Sequence, residues 1–208
     1  MGRWTLGASL GVLLAQSAWA LQVTVMDAEG EPLEDAVVWV SGTPVAAGLS
    51  TTEFIMDQKD REFVPHVLPV PLGSRVAFPN SDSIMHHVYS FSPVKTFEIK
   101  LYKETPREPL LFDKPGVVEV GCNIHDWMLG YIIVVDGGVY AQTNAEGVAQ
   151  LRAPAQATSV SVWHSRFARI GQVENHELAA AHADTEVVIR QPLKPPLQDY
   201  GVDEFDAY

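Results

Sequence analysis

The chain's only cysteine, Cys122, is followed by His125 and Met128 at equal steps of three residues within Gly121–Val135, GCNIHDWMLGYIIVV. A thiol, an imidazole and a thioether together suit a soft transition-metal ion rather than Mg²⁺ or Ca²⁺. On a helix this spacing would bring the three onto roughly one face. The flanks argue for strands instead, because PGVVEVG before the cysteine and GYIIVV after the methionine are β-branched, glycine-bounded runs. Cys122 is therefore expected at the end of one strand, with Asn123–Met128 forming a short loop that gathers three donors around one point. In an oxidising compartment a lone thiol must be buried or occupied, so Cys122 is either an inert core residue or a ligand.

Two imidazoles and a thiolate in a trigonal set, with a weak axial methionine, make the blue-copper arrangement. It requires one more imidazole from another strand. The segment FPNSDSIMHHVYSF supplies His86 and His87, which stand 36 and 35 residues upstream of Cys122. His66, His164, His176 and His182 have no metal-ligand spacing to one another and are expected to be surface or hydrogen-bonded structural residues. A cysteine hydrolase could pair Cys122 with His125, but Met128 and the strand–loop–strand setting would then have no role. A two-copper centre would need a second cysteine, and the chain has no glycine-rich phosphate loop.

The elements that must position these donors read as strands almost throughout. LQVTVMD alternates with period two, AEGEP is a turn, and AVVWV follows as a second strand. Similar runs recur at SRVAF, HHVYSF, KTFEIKLY, GVVEVG, YIIVV, VAQL, TSVSVWH and TEVVIR. Gly, Pro, Asn and Asp punctuate them at the intervals of an antiparallel sandwich, so the predicted class is all-β. NHELAAAHA, residues 175–183, is the one segment with helical character. Strand alternation through HHVYSF would turn His87, Tyr89 and Phe91 to the interior. The tail, residues 192–208, is proline-rich and then acidic, and is expected to be flexible or loosely docked.

Residues 1–20, MGRWTLGASLGVLLAQSAWA, have the form of a secretory signal peptide: a basic start at Arg3, an apolar stretch, and Ala18-Trp19-Ala20 as a cleavage site. The apolar stretch is too short for a membrane anchor, so export to a bacterial periplasm is expected, with no membrane span after cleavage. Removing Arg3 with the leader takes the formal net charge from −12 to −13. That sign, with no basic run anywhere, argues against a nucleic-acid partner and for a basic protein surface.

In their order along the chain these motifs resemble those of the cupredoxin family, in particular its amicyanin and plastocyanin members. Phe78, Asn80, Asp82 and Ser83 precede Met85-His86-His87-Val88, and Pro115-Gly116 precedes Cys122, His125, Met128 and Gly130. The resemblance spans roughly Glu53 to Asp136. It implies a Greek-key β-sandwich and one mononuclear type 1 copper ion held by His86, Cys122, His125 and Met128. His87 is kept as an alternative to His86 or as a hydrogen-bonding neighbour. Three positions depart from the family pattern: His87 stands where Asn is usual, Met85 where Pro is usual, and Asp126-Trp127 where a Pro-Phe type pair is usual. The resemblance further implies an electron carrier, not an enzyme, with His125 as the electron exit among apolar residues such as Trp127 and Leu129. Its partners would be a dehydrogenase, a c-type cytochrome or an oxidase, and methylamine utilisation is one such context. A module for copper storage, sensing or delivery would use the same ligands. A carbohydrate- or protein-binding sandwich with an inert Cys122 would use none.

Two flanking stretches, VTVMDAEGEPLEDAVVWV and VYAQTNAEGVAQLRAPAQATSVSVWH, resemble carboxypeptidase-regulatory-like (transthyretin-like) β-sandwiches. The expected organisation is a second small sandwich from residues 21–50 and 137–191, with a cupredoxin domain, residues 51–136, inserted between its halves.

Overall fold

The computed structural model describes residues 21–41, 43, 53–104, 108–179 and 183–195. The expected signal peptide, most of the acidic tail and His182 lie outside them. The described residues form β-strands and no helix, and so contain no helix long and apolar enough to cross a membrane. In chain order the strands are β1 (Leu21–Met26), β2 (Val37–Trp39), β3 (Glu53–Ile55), β4 (Asp57–Lys59), β5 (Glu62–Val64) and β6 (Val67–Pro71). Then come β7 (Ser74–Ala77), β8 (His86–Ser90), β9 (Phe97–Tyr102), β10 (Leu110–Phe112), β11 (Gly116–Gly121) and β12 (Leu129–Val135). The last are β13 (Tyr140–Gln142), β14 (Val148–Leu151), β15 (Ser159–Trp163), β16 (Glu174–Glu177) and β17 (Thr185–Val188).

A five-stranded sheet, β6-β12-β11-β8-β9, lies with the three-stranded sheet β10-β7-β3 and the β4-β5 hairpin. Their inner faces share one buried cluster that includes Phe63, Phe78, Val88, Phe112, Val118, Val120, Cys122, Met128 and Ile132. The outer segments of the chain build two more sheets, β14-β1-β17 and β13-β2-β15-β16. These enclose a second cluster that includes Val23, Val38, Leu151, Val160, Trp163 and Val187.

β12 belongs to both clusters. Ile132 and Val134 face the first, whereas Tyr131, Ile133 and Val135 face the second, together with Val67 of β6 and Val117 of β11. A strand covered on both faces cannot alternate apolar with polar residues, which explains the uninterrupted YIIVV. Each fully buried Val or Ile contributes about 1.5–3 kcal/mol. Two polar ties join distant segments, the first of them buried. Thr143 Oγ1 donates to Leu33 O at 2.5 Å and accepts the Ala36 N–H at 2.8 Å, and Trp39 Nε1 donates to Asp136 at 3.0 Å.

Two expectations are corrected. The helical character of residues 175–183 yields to β16, which pairs antiparallel with β15 through Asn175↔Ser161 and His176↔Val160; cross-strand pairing outweighs the Ala-rich propensity. In β8 the interior side is His86, Val88 and Ser90, not His87, Tyr89 and Phe91. Val88 is fully buried and Phe91 is 81% exposed. Tyr89 instead covers the bare backbone of Gly121, which would bring a Cβ there to 3.1 Å from the Tyr89 ring.

His164 serves this scaffold. Its Nε2–H donates to Glu34 O at 2.9 Å, and its Nδ1 accepts the Arg166 N–H at 3.2 Å. Only the neutral ring can do both. Burial first, and then the Arg166 charge, hold its pKa below the ordinary histidine value, against the pull of the Glu34 carbonyl. The unfolded chain therefore binds a proton that the native chain refuses as pH falls below about 6.5. Stability is whole above that pH and declines until the depressed native pKa is passed. Urea midpoints of the metal-free protein are expected to be lower at about pH 5.5 than at about pH 7.5, with a smaller difference in His164→Gln. Equal differences in the two proteins would contradict this role.

Candidate metal centre

The centre sits at one end of the first cluster, where β8 begins and β11 passes into β12. The loop after β11 is closed by its own backbone: Met128 N–H donates to His125 O at 3.0 Å, and Cys122 N–H donates to Met128 O at 3.4 Å. This folds Cys122, His125 and Met128 into a single turn between two paired strands. Cys122 and Met128 are buried, each 3% exposed. The His125 ring is partly exposed and packs 5.4 Å from Trp127 and 4.9 Å from His86 between centroids.

Upstream, Asn80 shapes the loop that delivers His86. Its side-chain amide donates to Ile84 O at 2.9 Å and Tyr102 O at 3.1 Å, while its oxygen accepts the Asp82 N–H at 3.0 Å. The Tyr102 hydroxyl, beneath this loop, donates to Phe78 O at 2.8 Å and accepts from the buried Gln58 amide. Burial is the main reason its pKa is pushed up to about 12, with the neighbouring Cys122 and Asp57 acting in the same direction against the Gln58 bond. His86 is fully buried. His87 points the other way, with Nε2 3.0 Å from Glu98 and its ring beside Tyr89.

His86 Nδ1 lies 3.9 Å from Cys122 Sγ, and His125 Nδ1 lies 3.7 Å from it. The three donor atoms fall within 4.8 Å of one another. An ion bound trigonally at about 2.0 Å from nitrogen and about 2.3 Å from sulfur sets N and S about 3.7 Å apart, so both N–S separations suit one ion. The pKa of His125 is lowered, first by burial and then by the charges of His86 and Arg61. That direction favours the neutral ring, whose lone pair can serve a ligand. Met128 occupies the same buried cluster as Cys122.

Of the residues read from sequence, the structure brings His86, Cys122 and His125 together and places Met128 in the same turn. It leaves His87 on the opposite face of β8. Asp82, named in the sequence only as part of the motif ahead of His86, proves to be a partner of that ligand: its Oδ2 is 2.7 Å from His86 Nε2. The Asp82 pKa is lowered although burial acts against this, because the Arg61 N–H, the His86 ring and the Asp60 N–H all favour the carboxylate.

No protein-family model and no curated protein matches the chain. Solved structures do align with it over about half its length. One is a reduced Cu(I) form of a mutant amicyanin, 20% identical, covering 49% of this chain and 99% of that one at a TM-score of 0.37. Another is a purple cupredoxin from Nitrosopumilus maritimus, 22% identical, covering 40% and 98% at a TM-score of 0.35. A third is a copper-containing nitrite reductase from Thermus scotoductus, 25% identical, covering 54% of this chain and 28% of that one at a TM-score of 0.39. Similarity at this level carries no functional weight, and the donor geometry stands without it.

Proposed function

We propose that the chain is a cupredoxin-like electron carrier that holds one mononuclear type 1 copper ion on His86, Cys122, His125 and Met128. The observation that carries this reading is the convergence of two imidazoles and the chain's only thiol, at 3.9 and 3.7 Å, beside a buried methionine. Bound copper would supply a reversible one-electron couple. The residues supply the rest. His86 lies on the paired strand β8 and Cys122 directly follows the paired strand β11, which limits how far these donors can shift between oxidation states. His125 is the donor whose ring reaches the surface, so it is the natural exit for an electron. Ile84, Met85, Ile124 and Trp127, all substantially exposed, lie next to these two histidines in sequence and offer an apolar contact to a redox partner. The acidic chain favours a basic partner surface, of the kind a c-type cytochrome or dehydrogenase can present, after export to the periplasm.

We also read the chain as two units, residues 51–136 and residues 21–50 with 137–191. The two buried clusters support this division, although β12 contributes to both.

Titration of the purified protein, lacking residues 1–20, with Cu(II) tests the function. One equivalent is expected to give an intense visible thiolate-to-copper band and a narrow copper hyperfine splitting in electron paramagnetic resonance. Binding that gives only ordinary copper signals would favour storage or delivery instead. No binding would end both readings.

A further inference from the structure

We propose that Asp82 is a positioning residue: it orients the His86 ring, fixes its tautomer so that Nδ1 faces Cys122, and favours the oxidised metal ion. The proposal rests on the copper reading above for its redox part only. Asp82 Oδ2 is 2.7 Å from His86 Nε2, with His86 fully buried and the Asp82 side chain 13% exposed. The same carboxylate accepts two backbone bonds, from Asp60 N–H at 2.7 Å on Oδ1 and from Arg61 N–H at 3.0 Å on Oδ2. A carboxylate receiving those donors is itself an acceptor at every oxygen. His86 Nε2 must therefore carry a proton, and in the neutral ring the lone pair then lies on Nδ1, the nitrogen 3.9 Å from Cys122 Sγ.

The clamp is built at some cost. Asp60 and Arg61 are the two turn residues between β4 and β5, and both have left-handed φ, 56° and 61°. Such a two-residue turn matches the twist of a hairpin, but non-glycine residues there lose about 1–2 kcal/mol each. Asp82 captures the N–H groups that this conformation turns outward. The hairpin thus holds the carboxylate, and the carboxylate holds the imidazole. An anion on the far nitrogen makes the ring a stronger donor, and the stronger donor benefits the more highly charged ion.

The test has one arm without metal and one with it. In the metal-free protein, nitrogen-15 NMR of the histidine side chains is expected to show His86 as the Nε2–H tautomer, and Asp82→Asn to show a mixture or Nδ1–H. Wild-type His86 as Nδ1–H would overturn the proposal, whether or not the variant folds. In the copper-loaded protein, Asp82→Asn is expected to bind Cu(II) about ten- to a hundredfold more weakly. Its midpoint potential should rise by about 59 mV for each tenfold by which Cu(II) loses more than Cu(I). A folded variant with unchanged tautomer and potential would also overturn it. If wild type binds no copper while the tautomer result holds, the copper reading fails and the positioning role stands.

Discussion

Replacing Cys122 with alanine is expected to abolish the intense visible band of the copper-loaded protein and to lower Cu(II) affinity by well over the about ten- to hundredfold that a lost supporting hydrogen bond costs. Cys122 is the only thiol in the chain, so no other residue can replace the thiolate-to-copper transition. Its Sγ is also the common neighbour of both Nδ1 atoms. Without it two imidazoles remain, and any copper they retain should give ordinary signals. Alanine is preferred to serine, because a buried hydroxyl without a partner costs about 1–3 kcal/mol on its own. Absorbance, paramagnetic resonance and competition against a chelator measure the outcome. A retained band in Cys122→Ala would refute the thiolate site.

The second large effect is a contrast between neighbours. His86→Ala is expected to lose the type 1 spectrum, whereas His87→Ala keeps it. His86 is fully buried between Cys122 and Asp82, so its removal takes a donor, opens a cavity and deprives the Asp82 carboxylate of one of its partners. His87, whose side chain is 12% exposed, meets Glu98, which is 58% exposed; with one partner in solvent, such a pair contributes about 0–1 kcal/mol. Thermal unfolding should follow the same order, with a clear loss for His86→Ala and little change for His87→Ala. The reverse result would require β8 to slip by one residue, which would turn Val88 out of the core.

These contrasts mark how far the sequence could be read. Strands were legible wherever one face is solvated, as in LQVTVM, or where β-branched residues crowd together, as in GVVEVG and YIIVV. Short strands such as β3, β4, β5 and β10 were not, because three residues carry too little periodicity. VLPVP was hidden by its two prolines, although β6 pairs with β12 along its whole length. In β8 the aromatic residues misled: Tyr89 and Phe91 suggested an inner face, but Tyr89 is needed outside to cover Gly121.

The sequence by itself determined the donor types, their order and the tight Cys122–His125–Met128 turn, because those are local facts of composition and spacing. It narrowed the remaining imidazole to two adjacent residues, and the resemblance favoured His86 with His87 as the alternative. Only the tertiary structure shows His86 beside Cys122, since its direction depends on which face of β8 turns Val88 into the first cluster. Only the tertiary structure joined Asp82 to the β4–β5 turn, a contact across 21 and 22 residues of chain that leaves no periodic trace. The uninterrupted run of β12 likewise gained its meaning there. Apolar residues on both faces are required of a strand that lies between two cores, and no local pattern reveals what will pack on either side.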